Sequence, residues 1–246
     1  MTELSYMTRE DWVQVGQGIE SNSQRISDWL GTDPVVFAVP DVKKFNEDDR
    51  PVDVEAYNYI RAAGVNSAGI VGIQDLRRLE TADVDGRFNV VVIHPYGDEQ
   101  YESVRRTFKS GLAHRFHVLV WFGSDMIRYW LDAHQAVNVA GDAICNAPDP
   151  LRLTAAEMMV REQYNGLSTS RGKDAVVQLL RAFRRDGDEL NEKVWLRAFF
   201  AAGGDFDEAV AVSRFLKEIK AGKQHRTRPR YKDNIVEILK GEISSI

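Results

Sequence analysis

Cysteine and long apolar runs are scarce in this 246-residue sequence. The single cysteine, Cys145, excludes an internal disulfide framework and any zinc site built from several cysteines. No stretch approaches the roughly 18 consecutive apolar residues of a transmembrane helix. The N-terminal segment MTELSYMTREDW lacks both the basic start and the apolar core of a signal peptide. We therefore expect a cytoplasmic protein.

Short catalytic motifs are also missing. The chain contains no GxGxxG, GxxxxGK[ST], HExxH or GxSxG pattern, so no local motif identifies a reaction. The five histidines are scattered along the sequence and have no cysteine or third ligand at a suitable spacing. No metal site follows from them.

The stretch from Asn89 to Asp125 carries the clearest structural pattern. Two apolar, β-branched runs, Val90–Ile93 and Val118–Trp121, flank a segment with apolar residues at helical spacing. Those spaced residues are Tyr101, Val104, Phe108 and Leu112. Continuous apolar runs on either side of an amphipathic helix are typical of a βαβ unit in a parallel sheet that is covered on both faces.

Other short apolar runs extend this pattern along the first part of the chain. Strands are predicted at Val35–Val39 and Ala68–Ile73, with a short fifth strand at Ala136–Val139. An N-terminal helix, capped by Thr8 and carrying Trp12, Val15, Ile19, Ile26 and Trp29 on one face, precedes them. Residues 1–145 are therefore predicted to form a three-layer α/β (Rossmann-like) domain with a mostly parallel sheet of about five strands.

The pattern changes after Ala140, where a glycine and two prolines indicate a linker. Helix-capping residues then precede successive amphipathic segments. They are Thr154 (in a capping box with Glu157), Asn191 and Asp205. Residues 146–246 are predicted to form an all-helical domain. A Gly-Gly-Asp turn between two of its helices is similar to the helix-turn-helix arrangement.

Several polar residues follow the predicted strands and are expected at one edge of the sheet, where ligands bind in such folds. They are Asp41, His94, Asp98, Ser124 and Asp125. In one hypothesis the protein is an enzyme acting on a nucleotide or phosphoester. His94 would then be its acid or base, the three aspartates would hold a divalent metal, and Ser124 would bind phosphate. The alternative interpretation is that these residues cap helices and line loops. No cofactor is otherwise indicated.

Charge is unevenly distributed. Between Arg214 and Lys232 eight Lys and Arg residues face a single acid, Glu218, so this segment carries about +7 and the remainder about −12. A basic segment on an acidic chain is typical of proteins that bind polyanions. The leading hypothesis is therefore a nucleic-acid-associated protein, with the α/β domain serving as a ligand-sensing or oligomerisation platform. The residues predicted to contact phosphates are Arg214, Lys217, Lys220, Lys223, Arg226, Arg228 and Arg230, with Tyr231 stacking on a base or sugar.

Two other interpretations of the basic segment remain open at this point. The cations can form an ordinary solvated face or pair with the acidic N-terminal domain. They can also dock on an acidic partner or on a second copy of the chain, which would make the protein an interaction or assembly module.

Overall fold

A computed structural model describes residues 2–13, 18–80 and 88–244. The chain divides into two compact units, one formed by residues 1–131 and 135–145 and the other by residues 132–134 and 146–246. Each unit has a core of buried apolar side chains. Within the described residues, no helix is long and apolar enough to cross a membrane.

The first unit is an α/β fold, as predicted. Its sheet has the order β3-β2-β4-β5-β1-β6-β7, and all neighbouring strands are parallel except the antiparallel pair β6 and β7. The strands are β1 (Glu3–Thr8), β2 (Val35–Val39), β3 (Ser67–Gly72), β4 (Asn89–Ile93), β5 (Arg115–Val120), β6 (Val137–Asn138) and β7 (Ala143–Ile144). All five predicted strand positions are confirmed within a few residues.

Strand β1 was missed by the sequence analysis, which began the chain with a helix. Its sequence, ELSYMT, mixes polar and apolar residues and therefore does not form an apolar run. Two of its polar residues are buried with partners: the Ser5 hydroxyl lies 2.8 Å from His117 Nδ1, and the Thr8 side chain caps the next helix by accepting from the Asp11 amide. The strand thus lies in the interior of the sheet, between β5 and β6.

Helices cover both faces of the sheet. They are α1 (Arg9–Trp12), α2 (Gly18–Leu30), α3 (Val42–Asn46), α4 (Pro51–Ala62), α5 (Gly97–Ser110) and α6 (Met126–Ala133), with a 3₁₀ helix at Ile73–Glu80. The connections from β1 to β2 and from β2 to β3 run one way across the sheet, and those from β4 to β5 and from β5 to β6 run the other way. Right-handed crossovers therefore place α2 and α4 on one face and α5 and α6 on the other.

Aromatic contacts agree with this arrangement. The Phe37 ring of β2 packs edge-on against Tyr57 of α4, with 4.8 Å between centroids. The Phe108 ring of α5 contacts Phe116 of β5 at 6.2 Å and Trp130 of α6 at 5.5 Å.

The N-terminal helix of the prediction is divided. Thr8 caps α1 as expected, and Trp12 and Ile26 are fully buried. Ile19 and Trp29 pack at the margin of the same core. The predicted inward residue Val15 lies outside the described residues.

The second unit is helical. Its elements are α7 (Pro150–Glu162), α8 (Ser170–Arg185), α9 (Glu192–Ala201), α10 (Phe206–Lys220) and α11 (Ile235–Ile243), with a single 3₁₀ turn at Gln163–Asn165. The predicted caps Asn191 and Asp205 are confirmed, since their side chains accept from the Val194 and Glu208 amides. The predicted capping box at Thr154 was wrong. Asp149 caps α7, and the Thr154 hydroxyl donates to the Pro150 carbonyl inside that helix.

We predict that His117, which is fully buried in β5, makes the free energy of unfolding vary with pH. Burial lowers the pKa of His117 to about 3, whereas an unfolded histidine has a pKa of about 6.5. Below about pH 6.5 the unfolded chain takes up a proton that the folded chain excludes, so stability falls as the pH drops, by up to about 1.4 kcal/mol per pH unit. Urea unfolding from pH 7 to pH 4 should show a shallower dependence for His117→Asn than for the wild type. Equal slopes would contradict this assignment.

Candidate functional site

The carboxyl ends of β2 and β4 lie side by side, and the chain leaves them in opposite directions across the sheet. Such a switch in direction opens a crevice outside the strand ends, where ligands bind in α/β folds. The segments that follow the two strands begin at Pro40 and His94. This edge of the sheet is therefore where a ligand is expected to bind.

His94 lies at this crevice in a conformation that few residues adopt. Its backbone φ is 44°, in the left-handed region, and only 1% of its surface is exposed. The ring Nδ1 atom lies 2.8 Å from Oδ1 of Asp53, an equally buried residue of α4. The other carboxylate oxygen of Asp53 accepts from Nε of Arg50. Strained backbone held by buried polar contacts is common at functional sites.

The protonation of His94 follows from these contacts. Desolvation by burial is the largest influence and lowers the pKa of His94, although the hydrogen bond with Asp53 opposes it. A neutral ring beside the Asp53 carboxylate carries its proton on Nδ1. Nε2 is then an unprotonated nitrogen, and it has no hydrogen-bond partner among the described residues. Such an atom can accept a proton from a hydroxyl or water, but Nε2 is itself buried, so that group has to enter the protein beside the ring to reach it.

Aromatic and cationic side chains surround this pair. The Trp121 ring packs edge-on against His94, with 4.7 Å between centroids. The guanidinium of Arg9 lies 5.5 Å from the Trp121 centroid and 3.0 Å from a Glu55 oxygen, and that of Arg50 lies over the ring of Tyr96. The Nη1 atom of Arg9 is buried, and the residues described in the structure supply no partner for it.

The acidic residues predicted for this edge have other roles. The Asp41 side chain caps α3 by accepting from the Lys44 amide, Asp98 lies in the first turn of α5, and Asp125 accepts from the Phe122 amide. In the part of the chain that the structure describes, no three His, Cys, Asp or Glu side chains are placed to hold one metal ion. The structure thus does not bring the three aspartates together as a metal site, and the partner of His94 is Asp53.

Ser124, the predicted phosphate ligand, lies exposed in the turn before α6. The neighbouring Gly123 amide faces a Glu10 oxygen at 3.3 Å, and the Phe122 amide binds Asp125. Burial and the nearby Glu10 charge raise the pKa of Asp125. An anion bound at this turn would face two carboxyl groups, so the geometry disfavours a phosphate there.

The second candidate site is the basic loop, residues 223–232, which joins α10 to α11 without regular secondary structure. Its backbone is held by α8. The Gln178 carboxamide oxygen accepts from the Arg230 amide at 2.8 Å and the Tyr231 amide at 3.2 Å, and its nitrogen donates to the Arg228 carbonyl. Arg181 also donates to the His225 carbonyl at 2.9 Å. The path of the loop is therefore defined by contacts with its main chain.

The predicted phosphate-contacting residues differ in how far their charge is already neutralised. Lys217 pairs with Glu192 at 2.9 Å, Lys223 with Glu218 at 2.5 Å, and Arg230 with Glu162. Arg226 and Arg228 form no ion pair with any described residue. Arg214 lies over the ring of its neighbour Phe215.

Two clefts of about 630 and 600 Å³ lie beside the basic loop. The first is lined by five cations and one acid: Arg181, Arg184, Arg185, Lys223, Lys232 and Asp233. The second is likewise lined by five cations and one acid: Arg171, Lys173, Arg226, Arg228, Arg230 and Asp174. Sequence reasoning missed the contribution of α8, because its cations are spread along an ordinary amphipathic helix rather than clustered in sequence.

We predict that alanine substitution lowers the free energy of unfolding by different amounts at Asp53 and at Asp41. Asp53→Ala leaves His94 and the partly buried Arg50 without their acceptor and should lower the free energy of unfolding by about 3 kcal/mol. Asp41→Ala removes only a helix cap, which costs about 1 kcal/mol. Urea unfolding of the two variants measures the difference, and equal losses would contradict the structural role given to Asp53.

Comparison with known proteins adds no relative to this description. No protein-family model matches the chain, and neither a curated protein nor a solved structure is significantly similar to it.

Proposed function

We propose that the protein binds nucleic acid through the second unit, at the two basic clefts beside loop 223–232. The observation that carries this proposal is the lining of those clefts, in which ten cations face two acids. Charges of one sign gathered along a concave surface focus the electrostatic field and attract a polyanion. Each neutralised phosphate releases counterions, which adds a favourable and salt-dependent contribution to binding.

Ion pairs within the protein neutralise only part of the positive charge of the clefts. Arg230 and Lys223 have acidic partners, whereas Arg226 and Arg228 make no ion pair within the described chain. Unneutralised like charges repel one another and oppose folding, unless a ligand compensates them. Arg226 and Arg228 together with Arg171 and Lys173 are therefore the groups to which we assign phosphate contacts.

We predict that replacing Arg226, Arg228 and Arg230 together by alanine weakens binding to a labelled oligonucleotide at least about tenfold at low salt. The slope of log K against log salt concentration should decrease by roughly 1.5, because Arg226 and Arg228 are two of the assigned phosphate contacts, whereas Arg230 is already paired with Glu162. Fluorescence anisotropy across a salt series measures both quantities.

The matched control is the triple variant Lys43→Ala, Lys44→Ala, Lys193→Ala. It removes the same charge from exposed positions that line neither cleft, and its affinity and slope should stay near those of the wild type. Equal losses in both variants would mean that net charge alone determines binding. If the loop variant instead disrupts a self-association seen by analytical ultracentrifugation and no oligonucleotide binds, the loop is an assembly surface and the proposal fails.

A second candidate function is favoured by the geometry at His94. We propose acid–base chemistry on a nucleotide or phosphoester, with His94 Nε2 accepting a proton from the attacking hydroxyl or water. As the new P–O bond forms, the P–O bond to the ester oxygen breaks, and that oxygen leaves with the bonding electrons and takes a proton from the imidazolium or from solvent. Asp53 orients the ring and stabilises the imidazolium that forms, as carboxylates do in other acid–base pairs. The unpartnered Nε2 atom and the left-handed backbone of His94 support this candidate.

We predict that any phosphoesterase activity towards p-nitrophenyl phosphate, its diester or nucleotides falls at least about a hundredfold in His94→Gln. His114→Gln, at the opposite edge of the sheet, should retain that activity. Absence of activity in the wild-type protein, or equal loss in both variants, would remove this candidate.

A further inference from the structure

The two basic clefts share a wall. Thr227 and Pro229 line both of them, so the loop backbone separates one cleft from the other. The cleft of about 630 Å³ is called the Tyr231 cleft after the aromatic residue in its lining. The cleft of about 600 Å³ is called the Arg228 cleft.

The linings of the two clefts differ in chemistry. The Tyr231 cleft includes the apolar residues Ala182, Ile219 and Ile235, in addition to Pro229 and the half-buried Tyr231. In the Arg228 cleft the apolar lining is reduced to Pro229, and the other residues are charged or hydroxylated. Both clefts are lined by five cations, but only the first adds the aromatic and apolar surface that suits a planar ring.

The aromatic residue in the Tyr231 cleft narrows the class of nucleic acid further. In a duplex the base faces are stacked inside and cannot reach an aromatic side chain on the protein. In a single strand each base exposes such a face, and stacking on an aromatic residue contributes roughly 1–3 kcal/mol per base.

The loop is also held in place by contacts within the protein. Gln178 bonds to the backbone at three points, and Arg181 bonds to it at a fourth. Because the loop is already ordered, less conformational entropy is lost on binding. Burial raises the pKa of the Tyr231 phenol, which leaves the ring uncharged beside an anionic strand.

We infer that the ligand is single-stranded nucleic acid, with one base stacked on Tyr231 and the adjacent phosphates in the Arg228 cleft. This inference rests on the proposed function and specifies its ligand. Loop 223–232 then lies between the base and the backbone of the bound strand.

The test compares a labelled 20-nucleotide single strand with a blunt duplex of the same sequence and with inorganic polyphosphate. We expect the single strand to bind at least about tenfold more tightly than either competitor at equal salt. Tyr231→Leu should weaken single-strand binding roughly fivefold to a hundredfold, with no change in the salt slope because no charge is lost. Tyr231→Phe, which keeps the aromatic ring, should bind within about twofold of the wild type.

The possible results separate the inference from the function on which it rests. If none of the three polyanions binds in a salt-dependent manner, both the function and the inference fall. If duplex and polyphosphate bind as tightly as the single strand, and Tyr231→Leu binds like the wild type, the proposed binding of polyanions at the clefts is supported. The inference that a base stacks on Tyr231 is then wrong. Thermal unfolding of Tyr231→Leu shows whether the variant is folded. If it is not, a fully abasic strand of the same length, which keeps the phosphates but has no base to stack and is therefore expected to bind more weakly than the intact strand, provides the same test on the wild-type protein.

Discussion

Burial on both faces constrains the central strands β2, β4 and β5 of the parallel sheet, and the features of the first unit follow from that constraint. A polar side chain within the sheet has no access to water and must find a protein partner. Asn89 illustrates this requirement, since its amide nitrogen donates to the Leu30 carbonyl at 2.8 Å and its oxygen accepts from the Arg115 amide at 3.0 Å. Groups that have unsatisfied capacity are therefore informative, and Nε2 of His94 is one of them.

The second unit holds many positively charged side chains close together, despite their mutual repulsion. Acidic partners neutralise some of the cations, as Glu162 does for Arg230 and Glu218 for Lys223. Others lie over aromatic rings or donate to carbonyl oxygens at helix ends, as Arg184 does to Ile219. These contacts stabilise the fold without cancelling the positive potential of the clefts, because a carbonyl or a ring carries no net charge.

Local sequence patterns predicted most of the secondary structure, for identifiable reasons. The run Val35–Val39 is apolar throughout and forms strand β2 with those bounds, and Asn191 and Asp205 cap helices because their short side chains reach free amides. Strand β1 was not predicted because Ser5 and Thr8 are polar and interrupt its apolar residues. Their burial depends on partners that the local sequence does not show.

The sites were less predictable than the elements. His94 was identified from its position after a strand, but Asp53 lies 41 residues earlier in a helix, and no local spacing connects the two. The loop cations were recognisable as a cluster in sequence, whereas Arg181 and Arg184 join them only through the packing of α8. Contacts that depend on tertiary packing leave no periodic pattern in the sequence. The sequence therefore predicted His94 and the loop cations, but not Asp53 or the cations of α8 that lie beside them.

The attachment of loop 223–232 by its main chain has a consequence for how the sequence can change. Gln178 bonds to amide and carbonyl groups, which every residue type except proline supplies in full. The side chains of the loop can therefore be exchanged while its course is retained. Gln178, which is uncharged, thus fixes the course of the loop backbone, whereas the loop side chains determine the charge of this surface. The charge can therefore change in related chains without a change in the backbone.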